Sequence, residues 1–172
     1  TLAAESKKGG RVIATGGGPM VRSAYSSGRP SYGVGPGNVQ VILAEDYKDY
    51  ATLAKTIVNN RSYDNGMPCN GEQTLHIPQS EVPAVLAAFE QSGAFILPED
   101  QIEALEQLLF NSEKKTFNPA CVGMTAVKLA AELGIQVPAD TMLLVFKSRG
   151  ANKQNLLFKE KLCPVLQYAP YQ

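Results

Sequence analysis

The chain has 172 residues, 44% of them hydrophobic, and its 16 basic residues balance 16 acidic ones. That is enough for one core of ordinary size, and it gives no electrostatic footprint for nucleic acid or an anionic membrane surface. No signal peptide or apolar run long enough to cross a bilayer is expected. The cysteines at 69, 121 and 163 are too far apart for a disulfide framework or a CxxC pair and suit a reducing compartment. With a single histidine, His76, the composition predicts no metal site.

Residues 1–10 are small and polar and read as a lead-in. Residues 11–15 predict a short strand, with Val12, Ile13 and Ala14 apolar. Gly16-Gly17-Gly18-Pro19 then turns the chain into a helix from Met20 to about Ser27. Pro19 suits the first helical position and Gly28 the residue beyond the end. Strand, glycine turn and helix start together present backbone amides and positive partial charge to an anion or ligand. Read alone, the three glycines are equally a tight turn. Residues 30–34 and 39–43 predict strands on either side of the turn Gly35-Pro36-Gly37-Asn38. Tyr47, Tyr50, Ala51, Ala54, Ile57 and Val58 share one helical face, with Asp46 as N-cap.

The most informative stretch follows: Asp64-Asn65-Gly66-Met67-Pro68-Cys69-Asn70-Gly71-Glu72-Gln73. One cysteine sits in a turn-rich segment just ahead of a strand-like run, 74–77. Thiolate is the nucleophilic form of cysteine. The asparagines and glycines around Cys69 supply backbone amides and little bulk, which lets a substrate carbonyl approach closely. Taken alone, a lone cysteine is more often a small buried thiol beside a turn. Asn65-Gly66 marks a turn and Pro68 restricts Met67 to extended geometry, so Cys69 is predicted on a defined bend. His76, between Leu75 and Ile77, is read as a structural strand residue, which leaves no Ser-His-Asp triad.

Val82, Val85, Leu86 and Phe89 make the next helical stripe, ended near Gly93. Residues 94–97 predict a short strand, and 98–110 a helix carried by Ile102, Leu105 and Leu109. Glu99, Asp100 and Glu103 lie in its first turns, as the helix dipole favours, and read as a solvated face. Asn118-Pro119-Ala120-Cys121-Val122-Gly123 opens a helix to about Leu133, stopped by Gly134. The continuous apolar run in 141–147 fits a strand buried on both faces of a parallel sheet, and 148–155 is a polar loop. Strands alternating with helices predict an α/β fold with a mainly parallel sheet flanked by helices.

Asn65-Gly66-x-x-Cys69-x-x-Glu72-Gln73, followed by a short strand, resembles the nucleophile segment of the aldehyde dehydrogenase superfamily. The likeness is greatest to its CoA-acylating branch, which includes the aldehyde dehydrogenase half of bifunctional aldehyde-alcohol dehydrogenases. Ala14-Thr15-Gly16-Gly17-Gly18-Pro19-Met20-Val21 resembles the family's segment beside the nicotinamide end of the cofactor. Glu160-Lys161-Leu162-Cys163-Pro164-Val165 resembles its Glu-x-x-Gly-Pro-Val segment, whose glutamate holds the hydroxyls of the nicotinamide ribose. A carboxylate accepts two hydrogen bonds from a vicinal diol, so the residue type fits, although Glu160 beside Lys161 is by itself an ordinary surface pair. Residues 118–123 share the likeness, which implies that Pro119 and Gly123 line the acyl or CoA approach; read alone, the stretch is equally a capped loop before a packed helix. The resemblance extends from about Arg11 to Tyr168.

It implies Cys69 as nucleophile, Thr15, Gly16, Gly17 and Glu160 as contacts of NAD or NADP, a small aldehyde as substrate, and coenzyme A as co-substrate. Two departures stand out. Pro19 follows the last glycine of its turn where acylating relatives have it before, and Cys163 replaces a glycine or serine and is expected to be packed and unreactive. Hydrolytic members carry a water-activating glutamate at the place of Gly33. Without a carboxylate there, water has no general base at this point, and acyl transfer to CoA is the expected fate of the thioester. The resemblance further implies that 11–172 is part of a catalytic domain, with the separate Rossmann-like cofactor domain and the C-terminal end outside it. This stretch alone is then expected to be nearly inactive. The parent is expected to be a homo-oligomer in the cytoplasm or a bacterial microcompartment. The residues also admit a hydrolytic or acyl-phosphate-reducing member of the superfamily, or a non-catalytic assembly module.

Overall fold

The computed structural model describes residues 10–150 and 155–172. The predicted lead-in therefore falls almost wholly outside the described residues, as does the middle of the 148–155 loop. The chain divides into two compact units at Gly37/Asn38.

The first unit is a single βαβ turn. Strand β1 (Val12–Thr15) pairs in parallel with β2 (Ser31–Val34), and helix α1 (Gly18–Tyr25) connects them. Parallel neighbours need a crossover of this kind. Ala14 and Ala24 are its buried contacts, and the Ser31 hydroxyl ties the strand to the helix by donating to the Ala24 carbonyl at 2.8 Å. The helix ends earlier than expected, with Ser26 as its C-cap, and Gly28, at φ +74, follows two residues beyond the cap.

The second unit is a five-stranded, all-parallel sheet with a helical layer on each face. Its strands are β3 (Val39–Ile42), β4 (Glu72–Pro78), β5 (Ala94–Ile96), β8 (Leu143–Lys147) and β9 (Val165–Tyr171), in the spatial order β3-β4-β9-β8-β5. On one face, α2 (Tyr50–Ser62) and α3 (Val82–Gln91) bury Ala54, Ile57, Val58, Val85 and Phe89 against Leu75, Ile77, Leu143 and Val145. On the other, α4 (Ile102–Leu109) and α5 (Ala126–Glu132) bury Leu105, Leu109, Leu129 and Ala130 against Leu144, Phe146 and Val165. Leu143 and Val145 face one core and Leu144 and Phe146 the other, which is why that strand reads as an unbroken apolar run. A short antiparallel hairpin, β6 (Phe110–Asn111) with β7 (Thr116–Phe117), follows α4.

Several boundaries differ from the sequence reading. Helix α2 begins at Tyr50, and its cap is Asp49, which accepts from the Thr52 amide at 3.0 Å; Asp46 and Tyr47 lie before it. The same apolar stripe simply starts one turn later. Residues 119–121 form only a 3-10 turn, and α5 starts at Ala126 behind Thr125, whose hydroxyl accepts from the Lys128 amide at 3.3 Å. The central strand β9 and the small hairpin were not expected.

Candidate active site

Helix α2 ends at Ser62, and the chain then makes a run that L-amino acids rarely adopt. Asp64 (φ 48), Asn65 (φ 50) and Gly66 (φ 72) are all left-handed. Short polar side chains and glycine are the residues that tolerate this. The Met67 amide donates to the Asp64 carbonyl and the Gly71 amide to the Pro68 carbonyl, both at 3.2 Å, so the segment is two consecutive tight turns. Met67 is helical (φ −70, ψ −33), not extended as Pro68 predicted. Cys69 sits on the second turn and is exposed. Pro68 and Asn70 on either side of it line a cleft of about 300 Å³ with Asn60, Tyr63, Gly71 and Glu72. One Glu72 oxygen accepts from the Asn60 amide at 3.2 Å, while the other is buried with no partner among the described residues.

Beneath this bend lies Arg61, fully buried at the end of α2. Its Nη1 donates to the Gly66 carbonyl at 3.1 Å. Its Nη2 donates to the carbonyls of Cys163, at 2.7 Å, and Lys161, and Nε donates to Val165 at 3.0 Å. Burial pushes the guanidinium pKa down, opposed by the nearby groups Cys163, Glu72 and Glu160. Gly66 packs directly on the Cys163–Pro164 peptide. The nucleophile-like bend and the stretch after Glu160 are therefore one packed assembly.

Glu160 itself is half-buried. Its successor Lys161 is held on both backbone groups by the buried Gln73 side chain. Gln73 Nε2 donates to the Lys161 carbonyl at 3.1 Å, and the Lys161 amide donates to Gln73 Oε1 at 3.0 Å. The Lys161 ammonium turns inward, donating to the carbonyls of Leu157 (2.7 Å) and Lys159 (3.2 Å), so Glu160 and Lys161 form no surface pair. Desolvation, with the Arg61 charge behind it, pushes the Lys161 pKa down to about 7. Cys163 is fully buried and pushed up to about 12 by desolvation. Gly123 joins the same assembly: its amide donates to the Leu162 carbonyl at 2.9 Å, and a Cβ there would stand 3.0 Å from Met67 Sδ.

The glycine turn lies in the first unit. Thr15 and Gly17 are exposed and Gly16 half-buried. Gly17 is the N-cap of α1, so Pro19 is the second helical residue, one place later than expected. The Gly16 amide is already used, donating to the Val34 carbonyl at 3.0 Å. Gly33 is tightly covered: a Cβ there would lie 2.6 Å from Val21 Cγ1 and 2.8 Å from Tyr25 Cε2. His76 Nε2 and Gln40 Oε1 are 2.8 Å apart, a strand-to-strand contact consistent with its structural reading.

Arg61, Gln73 and Lys161 were not singled out by sequence. The signal for Arg61 was present, since it falls at i+7 on the buried stripe that Ala54, Ile57 and Val58 define. A basic residue on an apolar stripe calls for a buried acceptor.

The acetylating succinate-semialdehyde dehydrogenase of Clostridium kluyveri is 43% identical over 161 residues, which cover 93% of this chain and 35% of that protein. An acetylating aldehyde dehydrogenase from Geobacillus thermoglucosidasius superposes with a TM-score of 0.88 at 32% identity, over 99% of this chain and 37% of that one. Rhodopseudomonas palustris propionaldehyde dehydrogenase, solved with bound propionyl-CoA, superposes with a TM-score of 0.82 at 25% identity, over 94% of this chain and 35% of that one. No family model matches the chain. The chain thus spans about a third of the length of these relatives. By sequence and by fold, it belongs to the aldehyde dehydrogenase superfamily, in its CoA-acylating branch.

Proposed function

We propose that a longer protein carrying this chain converts an aldehyde, NAD and coenzyme A reversibly into an acyl-CoA, NADH and a proton, through a thioester on Cys69. The observation that carries this reading is the exposed Cys69 on a bend packed directly against the Glu160 segment. The Cys69 thiolate attacks the aldehyde carbon and forms a thiohemiacetal. The Cys69 backbone amide supports the developing oxyanion. The bound nicotinamide supplies the hydride acceptor. The thiol of CoA then attacks the thioester carbonyl, the Cys69 sulfur leaves, and acyl-CoA departs.

The residue types fit a nicotinamide nucleotide. Glu160 is half-buried on a segment that Gln73 and Arg61 hold still, the kind of fixed acceptor that a ribose diol requires. The family likeness assigns Thr15, Gly16 and Gly17 of the first unit to the nicotinamide end as well. Gly33 supports CoA over water as acceptor, because no carboxylate stands where hydrolytic members carry their base.

Cys69→Ala in the full-length protein should abolish aldehyde-dependent NADH formation, and retained turnover would end the reading. Assays supplied with CoA, with phosphate or with neither decide the acceptor. CoA dependence is the expected result, and phosphate dependence would place the protein with acyl-phosphate reductases.

A further inference from the structure

We propose that Arg61 is a positioning residue that sets the Cys69 bend against the Glu160 segment. The inference rests on the functional reading above, and it concerns a side chain that takes no part in the chemistry. The loop from Gly66 to Gly71 closes around the guanidinium. Nη1 bonds the Gly66 carbonyl at 3.1 Å and would stand 3.2 Å from a Cβ on Gly71. The same group reaches the carbonyls of Lys161, Cys163 and Val165, which follow Glu160. One planar fork thus joins the nucleophile turn to the ribose-contact segment, from the C-terminal end of α2.

A role in stability alone explains this arrangement poorly. Among the described residues Arg61 is bonded to carbonyls and to no carboxylate, and such a buried cation carries a desolvation cost that an apolar residue of similar size would avoid. What the guanidinium adds is direction, with donors diverging in one plane. The left-handed run at Asp64, Asn65 and Gly66 is strained backbone that persists only where its surroundings fix it, and Arg61 holds its last carbonyl. Lysine keeps the charge at that site but presents its donors from a single point.

The test uses the full-length protein with acetaldehyde, NAD and CoA as probes. In Arg61→Lys, melting should remain cooperative, while kcat per alkylatable Cys69 falls by about tenfold or more, as misplacement of a reacting group does. NAD affinity should fall with it, and the rate constant for iodoacetamide alkylation of Cys69 should change. Arg61→Met should show the same effects, larger. A lower melting temperature with unchanged kcat per titrated site would mean a purely structural role and overturn the proposal. In the unsubstituted protein, NAD binding should slow amide hydrogen exchange in 63–70 as well as in 160–165. Protection confined to 160–165 would also overturn it. The alkylation rates are read without turnover, so an active Cys69→Ala would defeat the functional reading and leave this measurement standing.

Discussion

A methyl group on Gly66 would lie 2.5 Å from both the carbonyl carbon and the carbonyl oxygen of Cys163. That contact is between backbones, so no side chain can swing away to relieve it. Gly66 is also at φ +72, where any L-residue is strained. Gly134 has the same φ of +72 with nothing within 4 Å, and so isolates the conformational part of the cost. Gly134→Ala should cost about 1–2 kcal/mol, the left-handed penalty alone. Gly66→Ala should cost a further 1–3 kcal/mol or so from overpacking. Urea denaturation compares the two, and equal losses would contradict the tight apposition.

The pH dependence of stability follows from two buried groups. Desolvation pushes the Lys161 pKa down to about 7 in the folded chain, from the 10.5 of an ordinary lysine. Between these values the unfolded chain holds a proton that the folded chain lacks, so stability rises with pH. Cys163 is raised to about 12 from 9.0, so above pH 9 the unfolded thiol ionises first and stability falls with pH. The two contributions predict a rise from about pH 7 to about 9 that flattens beyond, where the opposing slopes overlap. Urea midpoints across that range should show the rise in the parent sequence and lose it in Lys161→Met. A rise that survives this substitution would assign it elsewhere.

The three thiols should react very unequally. Cys69 is exposed, while Cys121 and Cys163 are buried and both pushed up by desolvation. Only the thiolate is a good nucleophile. Brief treatment with iodoacetamide at neutral pH should therefore modify Cys69 alone, as read by peptide mass mapping. Labelling of Cys163 at a comparable rate would contradict the packing around Arg61.

Restoring the water-activating carboxylate should fail. Gly33→Glu brings a Cβ within 2.6 Å of Val21 and 2.8 Å of Tyr25, so both side chains of α1 must move to admit it. The expected result is a less stable first unit with no CoA-independent NADH formation. Turnover without CoA in this variant would show that space exists for a base.

The layered α/β fold was legible because its signals are local. The apolar run at 143–146 announced a strand buried on both faces, and the stripe through Ala54, Ile57 and Val58 announced α2. Strand β9 was not, although it lies at the centre of the sheet. Gln167 breaks its apolar run and Pro170 argues against a central strand. Pro170 is tolerated because β8 runs alongside only as far as Tyr168, so that end of β9 pairs with β4 alone. At the site, the bend around Cys69 was legible from Asn65-Gly66 and its neighbours. The contacts that fix it were not: Arg61 meets carbonyls about a hundred residues away, and no local pattern encodes that distance. The helical Met67 shows the same limit, since Pro68 biases it toward extended geometry and the folded chain does not follow that bias.

The most direct test of the account is to look for the acyl group itself. The full-length protein is incubated with acetaldehyde and NAD in the absence of CoA, digested, and its cysteine peptides are weighed. An acetyl group on the peptide that contains Cys69, removed when CoA is added, is the predicted result. An unmodified Cys69 peptide alongside measurable NADH formation, or an acetyl group on another residue, would contradict it.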